Sequence, residues 1–270
     1  MKQNEKIALF RALHAAPGAF VMPNPWDAGS ARLLAGLGFS ALATSSSASA
    51  NTLGRCDYGV TREEALDMAR LIVEATDLPV SADLENGFGD SPATVRETIR
   101  LAAKIGLAGC SIEDAPGGAA PYDFNHSVER VAAAVEANRA LPCPLVLTAR
   151  AENNTRGKPD LDDTIKRLLA YEKAGADVLF APGLPDLAAV RTVCVAVSKP
   201  VNVVGSMQNG ALSVADLAAA GVKRISLATA VYRAAMTGLR DAALEVREKG
   251  TFGFSARVMQ SPELSALLQS

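Results

Sequence analysis

The sequence predicts an α/β fold, a closed (β/α)₈ barrel with an additional C-terminal helix, on three observations. Eight short apolar runs of strand type recur along the chain, with longer segments of helical period between them. Several helical segments end at a glycine, Gly38, Gly106, Gly175 or Gly221, that leads directly into the next apolar run. The 270 residues match the roughly 250 that such a barrel uses as one domain.

The runs come in order. AFVMP (19–23) and ALATSS (41–46) open the series, and PVSADL (79–84) and GCSIED (109–114) follow. LVLTAR (145–150), DVLFAP (177–182), PVNVV (200–204) and RISLA (224–228) complete it. Helical period is clearest over 61–76, 91–106 and 160–175, and a further helix is expected over 127–139. Thr61 with Glu64 three residues on is a capping box. Ser91-Pro92 puts a cap residue just before a proline at the first helical position. Strands that are apolar throughout and separated by helices imply a parallel sheet covered on its faces. Eight units favour closure; an open α/β sheet of similar count is the alternative. No polar linker divides the chain, so residues 1–270 are expected to form one domain, with about 251–270 as an extension that packs on the barrel or on a neighbouring subunit.

Composition excludes several roles. Lys plus Arg is 27 and Asp plus Glu is 29, a net charge of −2, which gives no attraction to nucleic acid or to an anionic membrane. Cys56, Cys110, Cys143 and Cys194 are scattered without C-x-x-C spacing, so neither a zinc site nor a disulfide framework is expected. The N-terminus is amphipathic and carries Glu5, unlike a signal peptide, and no window holds the unbroken apolar stretch of a membrane span; a cytoplasmic protein is expected.

Polar residues collect at the C-terminal ends of the runs, where a barrel builds its active site. Ser45, Ser46, Ser47 and Asp57 follow the second run. Asp83 and Glu85 end the third, two apart, and would share a side in extended chain. Glu113 and Asp114 end the fourth. Carboxylates that converge repel unless a cation or a shared proton neutralises them, and oxygen-only ligation with waters suits Mg²⁺. Arg150 on the fifth run offers a planar fork for a carboxylate or phosphoryl group, and Asn202 on the seventh can donate to a ligand oxygen.

PNPWDAGSA (23–31), the TSS segment at Thr44, SADLENGFGD, GCSIED and TAR at Thr148 together resemble the isocitrate lyase/phosphoenolpyruvate mutase superfamily, from about Pro23 to Ala230. The resemblance implies a (β/α)₈ barrel whose last helix is exchanged between subunits of a homo-oligomer. It also implies Mg²⁺ and a small 2-oxo acid that passes through an enolate. On that pattern Asp83 is the closest metal ligand, Glu85 and Glu113 hold its waters, and Asp57 flanks the site. Trp26, Ser45, Ser46, Ser47 and Asn202 would contact the substrate, with Arg150 opposite.

One segment departs from the pattern. The lyases carry a Lys-Lys/Arg-Cys-Gly-His loop after strand 4; here 115–131 reads APGGAAPYDFNHSVERV. It offers Tyr122 and His126 instead, the latter with an unperturbed pKa suited to acid–base work. The expected activity is therefore a Mg²⁺-dependent lyase or mutase breaking or forming a C–C or P–C bond. Two alternatives stand beside it: a barrel that binds a 2-oxo acid without turnover, and a barrel enzyme that holds a phosphorylated substrate in the loops with Gly205 and Gly210.

Overall fold

The computed structural model describes residues 1–157, 159–205 and 212–269. Eight parallel strands form one sheet, in the order β1-β8-β7-β6-β5-β4-β3-β2. The strands are β1 (Phe20–Met22), β2 (Leu42–Ala43), β3 (Val80–Asp83), β4 (Gly109–Glu113), β5 (Val146–Arg150), β6 (Val178–Phe180), β7 (Val201–Val204) and β8 (Arg224–Ser226). All eight lie inside the predicted runs and are shorter. The ALATSS run is trimmed most, because Ser45 leaves the strand to cap the short helix α3 (Ser46–Thr52) where a loop was expected.

The sheet closes beyond its last ladder. Ala43 N donates to Pro23 O at 3.0 Å, joining β2 to β1. Asn24 staples both neighbours: its Nδ2 donates to Thr44 O at 2.9 Å and its Oδ1 accepts from Leu227 N at 3.0 Å. The result is a (β/α)₈ barrel, with helices between successive strands.

Cap chemistry sets the helices. Thr61 forms the capping box of α4 (Arg62–Ala75) with Glu64, and Ser91 caps α5 (Pro92–Lys104) with Pro92 at its first turn. Gly175 closes α7 (Leu161–Ala174) with a φ of 109°, a conformation that would strain any residue bearing a Cβ. The sixth helix, α6 (Phe124–Arg139), starts three residues before the predicted 127, because Asp123 accepts from Asn125 N and caps it there.

The first helix, α1 (Gln3–Ala15), stoppers the N-terminal end of the barrel. Phe10 is fully buried, and a Cβ on Gly109 would meet its ring at 2.8 Å and Val146 O at 2.7 Å, so only glycine fits where β4 begins. His14 packs edge-on against Phe10 and Phe20, and its Nδ1 lies 2.8 Å from Phe10 O. Burial first, then the charge of Arg224, hold the His14 ring neutral, with its pKa pulled from 6.5 to about 3. The unfolded chain takes up a proton below about 6.5 and the folded chain refuses it, so stability is lost as pH falls through that range. Urea unfolding should show the wild type losing roughly 2 kcal/mol more than His14→Asn between pH 8 and pH 5. Equal losses would mean that the ring accepts a proton in place.

At the other end of the chain, α10 (Ala230–Lys249) buries one side chain, Tyr232, whose ring meets Trp26 edge-on. A 3₁₀ turn at Gly253–Arg257 leads to α11 (Ser261–Gln269), which lies along α2 (Ala28–Gly36) of the same chain, with Arg32 Nη1 donating to Leu268 O. Among the described residues no helix is long and apolar enough to cross a membrane.

Candidate active site

The C-terminal ends of β3, β4 and β5 bring three acids against one arginine. Arg150 is level with Glu113 in the ladder. Its Nη1 lies 3.3 Å from Glu113 Oε2 and 3.8 Å from Asp83 Oδ2, and its Nε pairs with Glu152. The guanidinium sits 5.0 Å from the centre of the Phe180 ring. Burial alone would make Arg150 a weaker base, but Glu152, Glu113 and Asp83 more than reverse this, so it stays charged.

Asp83 is held from β2. Its backbone N donates to Thr44 Oγ1 at 2.9 Å, and its Oδ2 accepts from Ser46 Oγ at 3.2 Å and from Ser46 N at 3.3 Å. The same hydroxyl lies 3.1 Å from Asp57 Oδ1, so Ser46 bridges the two acids. Burial, then the Asp83 charge, push the Asp57 carboxyl above the usual range.

Glu85 reaches the cluster by a different route from the one expected. β3 ends at Asp83, and Glu85 has a left-handed φ of 49° in a tight turn closed by Gly87 N donating to Leu84 O at 2.8 Å. The turn, not an extended strand, therefore places the carboxyl near its neighbours. Its Oε1 is buried without a partner among the described residues. Burial, then Asp83, Glu113 and Asp57, push its pKa up to about 8. Glu113, also nearly buried, is raised by burial too, against the pull of Arg150, while its Oε1 accepts from Tyr58 Oη at 2.8 Å.

Asp114 does not join this group. Its Oδ1 accepts from Glu152 N at 2.8 Å, and its Oδ2 accepts from Arg167 Nη1 at 3.0 Å and from Tyr171 Oη at 2.5 Å. It faces away from Glu113 along the strand and ties β4 to α7.

A cavity of about 80 Å³ opens beside these groups, lined by Asn24, Ser45, Asp83, Arg150, Asn202 and Arg224 among others. Of the expected site residues, Trp26, Ser46, Ser47, Asp57, Glu85, Glu113, Tyr122 and His126 do not line it. Tyr122 Oη accepts from Asn86 Nδ2 at 2.8 Å and bonds Asp90, and His126 Nε2 lies 3.0 Å from Asp90 O. His126 lies in the first turn of the early-starting α6. Gly210 lies outside the described residues. Tyr58, Arg156 and Arg224 escaped the sequence reading. A charged residue inside the RISLA run was the available signal for Arg224; nothing local marked Tyr58 or Arg156.

The sequence profile of the phosphoenolpyruvate phosphomutase family matches residues 10–247. The chain belongs to this family. A structure from Burkholderia cenocepacia, assigned as a lyase/mutase, superposes on this family member with a TM-score of 0.96 at 53% identity, covering 99% of this chain and 97% of that one. The oxaloacetate decarboxylase of Pseudomonas aeruginosa is 31% identical over 253 residues, 90% of this chain and 86% of that enzyme. The 2,3-dimethylmalate lyase of Eubacterium barkeri is 33% identical over 186 residues, 64% of this chain, and the match spans 62% of the lyase's length. The resemblance to the isocitrate lyase/phosphoenolpyruvate mutase superfamily read from the motifs is thus the correct one, and its relatives are lyases and mutases.

Proposed function

We propose that the chain is a Mg²⁺-dependent enzyme that breaks or forms a C–C or P–C bond of a small 2-oxo acid, of the oxaloacetate or phosphonopyruvate type, through an enolate. The observation that carries this reading is the uncompensated acid group at the barrel mouth. Asp57, Asp83, Glu85 and Glu113 crowd together, Arg150 answers part of their charge, and Glu85 Oε1 has no partner among the described residues. Such a cluster is costly to bury without a further cation. Among the described residues no three acidic, histidine or cysteine side chains are set to enclose an ion by themselves. Mg²⁺ keeps several waters and takes one or two carboxylates directly. Asp83 would ligate it, and Glu85 and Glu113 would hold its waters.

When bound, the ion supplies positive charge beside the carbonyl oxygen where negative charge develops. The chain's own residues do the rest. Arg150, fixed by Asp83, Glu113 and Glu152, presents its free N–H groups to the substrate carboxylate and to the developing oxyanion without having to reorient. Ser45, the cap of α3, lines the cavity beside the position for the carboxylate, and Ser46 holds Asp83. Tyr58, whose hydroxyl donates to Glu113, keeps its proton far above neutral pH because of burial and the Glu113 charge. Its hydroxyl fixes the Glu113 carboxylate, while Tyr122 and His126, the acid–base groups offered by the 115–131 segment, are turned to Asp90. A homo-oligomer is supported by the apolar side chains that α10 and the tail leave exposed, among them Leu239, Val246 and Phe252.

Non-catalytic binding remains the second reading, favoured by one observation: no acid or base of the 115–131 segment lines the cavity. Incubation of the protein and Mg²⁺ with a panel of 2-oxo acids, followed by product analysis, separates the two. Consumption of one acid with release of an enolate-derived product is expected. Binding of an acid without consumption of any would overturn the enzymatic reading.

A further inference from the structure

Beneath the acid cluster lies a second cation that no acid among the described residues neutralises. Arg224 opens β8 and points into the barrel, 3% exposed. Its Nη2 donates to Thr148 Oγ1 at 3.1 Å, while Nε and Nη1 have no partner among the described residues. Thr148 precedes Arg150 by two residues on β5, so the guanidinium tip sits one inward-facing layer, about 6–7 Å, below Arg150. Asn202, its ladder partner on β7, donates Nδ2 to Ser226 Oγ at 3.2 Å and leaves Oδ1 buried with no partner among the described residues. Arg224 and Asn202 both line the cavity that reaches up to Asp83 and Arg150.

The contrast with Arg150 is one of charge. Arg150 faces three carboxylates. Arg224 feels burial and no acid, which lowers its pKa to about 9 and still leaves it protonated at neutral pH. A fully desolvated guanidinium with idle donors is strongly unfavourable unless an anion completes it. The cavity's volume of about 80 Å³ is several times what one water requires.

We propose that Arg224, with Asn202, seats the carboxylate of the substrate that is remote from the 2-oxo group, and so selects dicarboxylic over monocarboxylic 2-oxo acids. This rests on the 2-oxo acid reading above. The substrate's reacting end lies against Asp83 and Arg150, and its far carboxylate reaches down one layer to accept from Arg224. The Asn202 amide can turn over to donate its Nδ2 to the same carboxylate, with Ser226 Oγ then donating to Oδ1.

Calorimetry with 3,3-difluorooxaloacetate and 3,3-difluoropyruvate in Mg²⁺ tests the proposal, since the pair differs only in the far carboxylate. Wild type should favour the dicarboxylate by about 10- to 100-fold. Arg224→Met, which removes the charge and keeps an apolar side chain of similar length, should abolish that preference and leave difluoropyruvate binding unchanged. A preference that survives in Arg224→Met, or equal weakening of both ligands, overturns the proposal. An acetate thermal shift in EDTA, on both proteins, keeps the two readings apart. If neither difluoro acid binds but acetate stabilises wild type and not Arg224→Met, the anion seat stands and the 2-oxo acid reading falls. If acetate also acts alike on both proteins, the seat itself is refuted.

Discussion

Asp83→Ala is expected to eliminate detectable Mg²⁺ binding by calorimetry and to lower turnover of the 2-oxo acid by roughly 10³-fold. The carboxylate is the one that meets Ser46, Arg150 and the edge of Glu85 at once, so its removal takes away the proposed direct ligand and leaves two acids proposed to act only through waters. Stability should change little, within about 1 kcal/mol by urea unfolding. The lost contacts with Ser46 are offset by relief of the repulsion among Asp57, Glu85 and Asp83. Metal affinity that persists in the variant would show that the ion, if bound, sits elsewhere.

The opposite pattern is expected one residue beyond Glu113. Asp114→Ala should cost about 3–5 kcal/mol in urea unfolding and leave the turnover of the folded fraction within a few-fold of wild type. Asp114 is 2% exposed and accepts from Arg167, Tyr171 and the backbone of Glu152. Truncation strands the buried Tyr171 hydroxyl and leaves Arg167 with Asp163 alone beside it among the described acids. Asp114→Asn, which keeps an acceptor, should lose less. A loss below about 1 kcal/mol would mean that the network is not what ties β4 to α7.

That pair of neighbours also shows what the sequence could and could not reveal. The barrel was legible because it is written in local chemistry: apolar runs, the Thr61 and Ser91 caps, and glycines that alone tolerate the turns into the strands. The acids at the strand ends were legible as a set, since the fold sends all strand termini to one mouth. Which acid faces inward was not. Glu113 and Asp114 differ by one step of strand alternation, and only the register fixes which of them meets Arg150. Glu85 was placed correctly near its partners for the wrong geometric reason, because a turn with positive φ cannot be told from extended chain at that spacing. Tyr58 comes from a loop whose path depends on long-range contacts with Glu113 and Arg156. Tyr122 and His126 looked available because the helix was read from 127; the Asp123 cap starts α6 at Phe124, and both side chains are turned to Asp90.

The most direct test of the site is a thermal-shift titration with oxalate, a small mimic of the enolate's carboxylate end, with and without Mg²⁺. A ligand that binds only the folded chain stabilises it by about 2.7 kcal/mol at a hundredfold excess over its Kd. Stabilisation that requires Mg²⁺, and that disappears in Asp83→Ala, is the expected result. Oxalate that stabilises equally in EDTA, or not at all, would contradict a metal-assisted 2-oxo acid site at the mouth of this barrel.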